Sequence, residues 1–498
     1  MQQQQRRTKI QGLSWLQVLL GGFVLFSILM LTLLYTELPL HRALLRSPVK
    51  DNVNLFTLVQ QRRKMTSISK SAELLNVDDL VHSDSYKHWA PAIIDKCMHG
   101  MEKGAAPCIK EANSMNIVEA QELMYPAFRL KLPTFINTTM RTMWLSKGLH
   151  LDRMRVSEDQ SWADYPIFRG QNMVFLNAVY RGNPPPDFWS DVACMERNVS
   201  HMQFLHDLNE SEQTTEPIVD TLVIATSPDS WSFQHFIDRV AVVWSQAQLV
   251  IPTIKKKDTV ILSGRLPENS IVNDIYAVMV GQHLHDVELV YAKRLVFSCR
   301  APLIHPFTTQ RITENILQTL PASTDKKSER NIILFLSRTK GGEALNGGRK
   351  ILNEPELFNA ISAMLNTTGR PEKLQYFQHD EFDGLVDVAV FMRDRVKMMI
   401  GPHGAAFYNS RFAQPRTAII EIIPDPDKFF RPCFWEQARQ LGQDYSAHVG
   451  MIMTKKKDMV VEDIQEVTRL VQNRLMYVDN SYQFEDALVH KHTWNIDA

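Results

Sequence analysis

Short unbroken apolar runs alternate with amphipathic stretches from about residue 221 onward. Residues 221–225 (Thr-Leu-Val-Ile-Ala), 259–263 and 294–297 have the length and content of buried strands. Between the first two, residues 232–246 place Phe233, Phe236, Ile237, Val240, Val243 and Trp244 at three- and four-residue spacings, which predicts a helix with one apolar face. The same rhythm resumes near 330. It predicts a strand over 331–337, an amphipathic helix over 354–365, a strand over 396–401, a helix-like start over 403–412 and a strand over 417–423 closed by Pro424.

Strands alternating with helices predict parallel α/β layers. Two such sets predict an α/β fold of two facing Rossmann-like domains, with the polar segment 309–330 as the link between them. No Gly-x-Gly-x-x-Gly occurs, so the dinucleotide fingerprint is missing. Further on, residues 461–477 read as an amphipathic helix, placed by analogy back on the first domain.

A different pattern governs the start of the chain. From Ile10 to Thr36 no residue is charged, and Arg6, Arg7 and Lys9 stand directly before the run. At about 1.5 Å per residue such a helix crosses a hydrocarbon core of about 30 Å. The basic flank keeps the N-terminus cytosolic, which predicts a single-pass type II anchor. A cleaved signal peptide is the alternative, but the run exceeds a 7–15-residue apolar region. The predicted organisation is a cytosolic tail (1–9), a transmembrane anchor (10–36), a stem (37–115), an N-terminal acceptor domain (116–320), a C-terminal nucleotide-sugar domain (321–440) and a helical tail packing back on the body (441–498).

Composition narrows the classes of function. With 498 residues, 55 basic against 55 acidic side chains and 44% hydrophobic content, the chain affords a core and lacks the basic field of a nucleic-acid binder. Sequons at Asn137, Asn198, Asn209 and Asn366 agree with a lumenal body and mark candidate glycosylation sites. Five cysteines form at most two disulfides, and Cys97 with Cys108 is the first pairing to expect.

Three segments carry candidate chemistry. In residues 399–407, a strand runs through Gly401-Pro402 into His403-Gly404-Ala405-Ala406. Small residues at a helix start let a phosphate approach backbone N–H groups, and the dipole favours an anion. A tight turn whose histidine bonds a neighbour is the alternative. In the second, Ser337-Arg338-Thr339-Lys340 followed by Arg349, Asn353 and Glu354 offers forked guanidinium donors for a diphosphate, or else an exposed basic turn. In the third, His235 and Asp238 share a helical face behind Ser232 and suit an acceptor hydroxyl, unless the serine merely caps the helix. Asp425-Pro426-Asp427 spells the Asp-x-Asp of metal-dependent sugar-nucleotide enzymes but reads better as a turn. His283-Leu284-His285-Asp286 and the lysine triplets at 255–257 and 455–457 read as surface features.

In their order along the chain, the Ser232–Phe236 helix start, the strand with Arg338, Arg349, Asn353-Glu354, the Gly401–Ala406 turn and the strand to Glu421 and Pro424 resemble glycosyltransferase family 61. That family includes plant xylan-modifying transferases and the EGF-domain-specific and protein-O-mannose N-acetylglucosaminyltransferases. The resemblance implies a GT-B-like fold and inverting transfer from a UDP-sugar, xylose or N-acetylglucosamine, to a hydroxyl of a glycan or glycoprotein. It maps the nucleotide-sugar site to Arg338, Arg349, His403, Gly404, Ala405 and Glu421, with Glu421 accepting from ribose hydroxyls and the arginines taking the place of a metal. No cofactor is then required, and Mn is the alternative. His235 and Asp238 are the candidates for the base. Ala406-Phe407-Tyr408 departs from the family's usual continuation and leaves the donor-sugar pocket open. The expected location is the Golgi membrane, with the endoplasmic reticulum as alternative, since the last residues carry no retrieval signal. A membrane-anchored glycan-binding protein that keeps the fold without turnover is the rival from another class.

Overall fold

The computed structural model describes residues 85–490 except 102–103, 113–116, 152, 182–193, 195–201, 205–217, 226–231, 251–258, 264–269, 280–281, 286–288, 322–329, 341–346 and 481–487. The predicted anchor, most of the predicted stem, Asn198 and Asn209 lie outside the described residues. Among the described residues no helix is long and apolar enough to cross a membrane.

The α/β alternation is present, arranged around a mixed sheet and a mainly parallel one. In the first, the strands run in the order Ala92–Ile94, Ile117–Tyr125, Phe168–Arg181, Leu289–Cys299, Ile218–Ile224, Thr259–Ser263, His283–His285, and Met202–Phe204 pairs beside Phe168–Arg181. The last four in that order are mutually parallel, as the apolar runs predict. The other half is antiparallel. It went unread because Ile117–Tyr125 and Phe168–Arg181 interleave polar with apolar positions, the pattern of a sheet packed on two unequal faces.

The second sheet orders its strands Lys373–Tyr376, Ile332–Phe335, Val396–Pro402, Ala418–Pro424, Asp444–Ile452, Met459–Val460. All pairs are parallel except the last. Numbered by sequence, the parallel five run 2-1-3-4-5, so the order reverses between Ile332–Phe335 and Val396–Pro402. The carboxyl ends of strands at such a reversal are where open α/β sheets bind ligands.

Several boundaries differ from the sequence reading. Residues 85–112 belong to the folded body instead of a stem: Trp89 is buried in the core, Ala92–Ile94 pairs with Ile117–Tyr125, and Cys97–Cys108 closes a loop onto the sheet. The segment 309–330, read as a link, begins inside the helix Pro306–Leu317, which buries Phe307, Ile312 and Ile316. The second sheet does not stop at 440, because Asp444–Ile452 continues it in parallel. The helix Ile464–Asp479 buries Val467, Leu470, Val471 and Leu475 on that sheet beside the helix Glu354–Thr367, not on the first half. The chain returns to the first half by a strand, Leu488–His490, paired with Phe128–Lys131 in a third small sheet.

One continuous apolar core joins the two large sheets. It draws Phe236, Val240 and Trp244 from the first half and Leu385, Met392, Phe407, Phe434 and Trp435 from the second. Polar bonds cross the same junction, among them Trp435 Nε1 to the Lys131 carbonyl at 2.9 Å and Arg153 to the buried Glu436 at 2.9 Å. A second disulfide, Cys194–Cys299, anchors to the last residue of the central strand Leu289–Cys299 of the first sheet, and Cys433 is a free thiol.

Candidate functional site at a strand-order reversal

The two strands flanking the reversal end in the residues singled out by their chemistry. Ile332–Phe335 leads to Ser337 and Arg338, and Val396–Pro402 leads to His403 and Gly404. The strands approach so closely that a Cβ on Gly401 would stand 2.4 Å from the Leu336 carbonyl oxygen, so only glycine fits there. At Gly404 the backbone is extended, and the demand for glycine is different. A Cβ there would stand 2.7 Å from Nη1 of Arg338, whose guanidinium lies across the position.

Arg338 is steadied through Nε, which donates to the Gly348 carbonyl at 2.7 Å. Gly347, Gly348 and Arg349 all have positive φ, of 48°, 72° and 59°. A Cβ on Gly348 would meet the Lys456 carbonyl oxygen at 2.0 Å. Gly348 therefore serves a tight approach to the 452–459 hairpin, and Arg349 holds a left-handed conformation that costs a non-glycine residue about 1–3 kcal/mol. Nη2 of Arg338 and Nε of Arg349 are buried with no hydrogen-bond partner. Burial, reinforced by the neighbouring Arg349, pushes Arg338 down to about 10, and burial lowers Arg349 as well. Two desolvated, incompletely bonded guanidinium groups side by side are costly unless an anion joins them.

The predicted role of Glu421 does not fit its surroundings. Its carboxylate is fully buried, with Oε1 bonded to His403 Nδ1 and Oε2 accepting from the Tyr445 hydroxyl. Both oxygens are engaged inside the protein, so Glu421 orients the histidine and offers nothing to a ribose. The His403 ring is held between Phe429 and Phe434, each with its ring centroid 4.8 Å away.

Sequence reading missed the cations around Phe429. Arg349, Arg431 and Lys457 stand 5.1, 5.7 and 4.9 Å from the centre of its ring. Lys457 comes from the triplet read as a solvated turn, brought in by the hairpin between Asp444–Ile452 and Met459–Val460. The periodicity gave no sign of this, because Lys457 and Phe429 lie 28 positions apart on either side of a helix and a strand. Arg431 follows the strand end closely enough that its place could have been suspected.

Other predicted residues are also placed. Ala405 is exposed and opens a 3₁₀ helix, Ala405–Phe412, where an α-helix had been expected. Phe407 is core, and Tyr408 donates to Asp238 Oδ2 at 2.5 Å, so this departure from the usual turn fastens the two halves together. Ser232 caps the Phe233–His235 turn through the His235 N–H at 3.4 Å, and Asp238 follows within a π-helical turn, Phe236–Val240. Such turns recur at functional sites. Burial raises Asp238 despite Tyr408 and the nearby Arg411, Arg239 and His235, which favour its charge. Asp238 thus faces the turn that follows His403, with His235 nearby on the same helical segment. Asn353 braces the Val461 backbone through both its amide atoms, at 2.9 and 3.0 Å. Glu354 accepts from Ser337 at 2.7 Å and Thr339 at 3.1 Å.

The decoys resolve locally. Asp425 accepts from the Asp427 N–H at 3.0 Å, and Asp427 pairs with Lys147 at 2.9 Å. His283 stacks on Tyr276 with centroids 4.3 Å apart. Among the described residues no group of three or more His, Cys, Asp or Glu side chains is placed to hold a metal ion. Asn137 is exposed, caps the helix Thr138–Gly148 and donates to Glu466 at 3.0 Å, while Asn366 is exposed near the end of its helix.

Residues 233–420 match the family model described as Glycosyltransferase 61, which bears out the resemblance read from the sequence and supports a glycosyltransferase. No curated protein matches the chain. Among solved structures, the chain is similar to a mutant flavo di-iron protein from Thermotoga maritima, at 10% identity over 77% of this chain and 99% of that one. The TM-score of 0.20 is too low to carry any argument.

Proposed function

We propose that this chain, whose residues 233–420 match the model of glycosyltransferase family 61, moves a sugar from a UDP-sugar to a hydroxyl of a glycan or glycoprotein with inversion. The observation that carries the reading is the pair of buried, unpartnered guanidinium nitrogens of Arg338 and Arg349 beside His403-Gly404 at the strand-order reversal. Arg431 and Lys457 add charge around Phe429. A diphosphate supplies the missing acceptors, and forked guanidinium donors match its oxygens.

In an inverting transfer the acceptor oxygen bonds to the anomeric carbon as the bond from that carbon to the diphosphate breaks. The electron pair leaves with the phosphate, and the hydroxyl proton passes to a base. The arginines and His403 act on the departing charge, the term that preorganised donors stabilise most. His235 and Asp238, on the helix that meets the turn after His403, are the groups proposed to receive or steer the acceptor proton. Xylose and N-acetylglucosamine are the proposed sugars, from the family resemblance.

The proposed location is the Golgi lumen, behind a type II anchor. The two disulfides support an oxidising compartment, and the charge-free run from Ile10 to Thr36 supports the anchor.

A donor screen tests the reading. The full chain is given UDP-xylose, UDP-N-acetylglucosamine, UDP-arabinose and UDP-glucose, with and without EDTA, beside Arg338→Ala. Turnover of one donor that survives EDTA and collapses in the variant is the expected result. Loss of turnover in EDTA would favour a metal-dependent transferase. UDP binding with neither transfer nor hydrolysis would favour a glycan-binding protein that keeps the fold.

A further inference from the structure

Three neighbouring strands of the second sheet contribute to one buried chain of hydrogen bonds. Tyr445 from Asp444–Ile452 donates to Glu421 of Ala418–Pro424, and Glu421 meets His403 at the end of Val396–Pro402. The register fixes their relation: Glu421 stands opposite Gly401 on one side and Ala447 on the other, and Tyr445 opposite Ile419. Tyr445 and Glu421 are 1% and 0% exposed, and His403 is 6% exposed. At that depth the direction of each hydrogen bond constrains the next.

Burial, with Glu421 beside it, pushes the Tyr445 hydroxyl well above its ordinary range, so it stays protonated and donates. Glu421 is left as acceptor at both ends. His403 Nδ1 therefore carries the hydrogen, and Nε2 is the ring atom left for a ligand. The groups facing this chain are Arg349 and Cys433 toward Glu421, and Arg439 and Cys433 toward Tyr445. On the His403 side stand Arg338 across Gly404 and the cations around Phe429.

We propose that Tyr445 is a positioning residue: by donating to Oε2 it holds the Glu421 carboxylate in the orientation that keeps the hydrogen on His403 Nδ1, and so presents Nε2 to the diphosphate of the donor. The inference rests on reading this site as a nucleotide-sugar site. Tyr445 lies beyond the residues matched to the family and is linked to His403 through Glu421.

Amide substitutions test the direction of the chain. In Glu421→Gln the Tyr445 hydroxyl still needs an acceptor, so it draws the amide oxygen toward itself and turns the NH₂ toward His403. Nδ1 must then accept, and the ring switches to the Nε2–H tautomer. In the double variant Glu421→Gln with Tyr445→Phe that demand is gone, the amide oxygen is free to face His403, and the Nδ1–H tautomer returns. Nitrogen-15 NMR of histidine-labelled full chain reads the tautomer, with the His403 signal assigned by its loss in His403→Gln.

The expected tautomers are Nδ1–H in the unsubstituted protein, Nε2–H in Glu421→Gln, and Nδ1–H in the double variant. Turnover should follow, falling about 100-fold or more in the single variant and recovering about tenfold in the double one. Tyr445→Phe alone lowers kcat about tenfold with the donor KM within about twofold, which keeps the test available should the double variant not fold. An Nε2–H ring in the unsubstituted protein, an unchanged tautomer in Glu421→Gln, or a folded double variant that recovers neither tautomer nor turnover would overturn the proposal. So would a Tyr445→Phe variant that loses thermal stability with kcat intact. The tautomer is read without any sugar transfer, so absence of turnover with a correct tautomer pattern would sink the glycosyltransferase reading alone.

Discussion

The guanidinium of Arg338 occupies the space that a side chain at Gly404 would need, with Nη1 2.7 Å from where a Cβ would stand. Because Gly404 is extended, alanine costs nothing in backbone conformation there, and the added methyl acts on the arginine alone. Gly404→Ala is therefore expected to fold with a melting temperature within about 2 °C of the unsubstituted protein, since unstrained substitutions usually fall within about 0.5 kcal/mol. It should weaken UDP-sugar binding about tenfold, the loss of one charged hydrogen bond. Calorimetry and a donor KM check both halves.

Asp238 and Tyr408 separate chemistry from fastening. If Asp238 handles the acceptor proton, Asp238→Asn lowers kcat by about 100-fold or more while the donor KM stays within about threefold. Tyr408→Phe removes the donor at 2.5 Å but keeps the carboxylate, so its main effect is on stability, about 1–2 kcal/mol. Steady-state kinetics on both, with thermal melts, distinguishes the two.

A pH dependence of stability follows from His448. Burial pushes this histidine down to about 4, against the nearby Glu466 and Asp463, which favour its charge. Between about 4 and 6.5 the unfolded chain binds the proton and the folded chain does not, so stability falls as pH drops through that window. The loss at the acid end is on the order of 2–3 kcal/mol. Melts of His448→Asn from pH 7.5 to 5 should show a flatter profile than the unsubstituted protein. Parallel profiles would remove His448 as the cause.

The Cys194–Cys299 bond closes a loop across 105 residues. In the chain-entropy account such a loop contributes about 4–5 kcal/mol by restricting the unfolded state. The Cys194→Ser, Cys299→Ser double variant should lose about that much in denaturant melts. Cys433→Ser should lose under about 1 kcal/mol, since that thiol closes no loop.

The C-terminal half was legible because its strands are buried on both faces and read as unbroken apolar runs. Ile332–Phe335, Val396–Pro402 and Ala418–Pro424 all emerged that way, and Arg338, Arg349, His403 and Gly404 come together at their ends. The antiparallel half of the first sheet was not legible, because Ile117–Tyr125 mixes Glu119, Gln121 and Glu122 with its apolar positions, and Glu122 is buried by bonds to Arg169 and Gln171. Nothing local to Glu122 announces partners about 50 positions away. The same holds for Tyr445, whose strand alternates Asp444, Ser446 and His448 with apolar residues and passed for a tail. Glu421 shows the limit at a single residue: its place at a strand end was evident, but its two partners lie on neighbouring strands that the sequence does not pair.

Equilibrium binding of UDP in EDTA, by calorimetry on the full chain and on Arg338→Ala and Arg349→Ala, tests the central claim most directly. The two unpartnered guanidinium groups predict metal-free binding that weakens about 10- to 150-fold in each variant, the range for a lost charged hydrogen bond. UDP bound equally by all three proteins, or by none of them, would contradict a diphosphate site at this strand-order reversal.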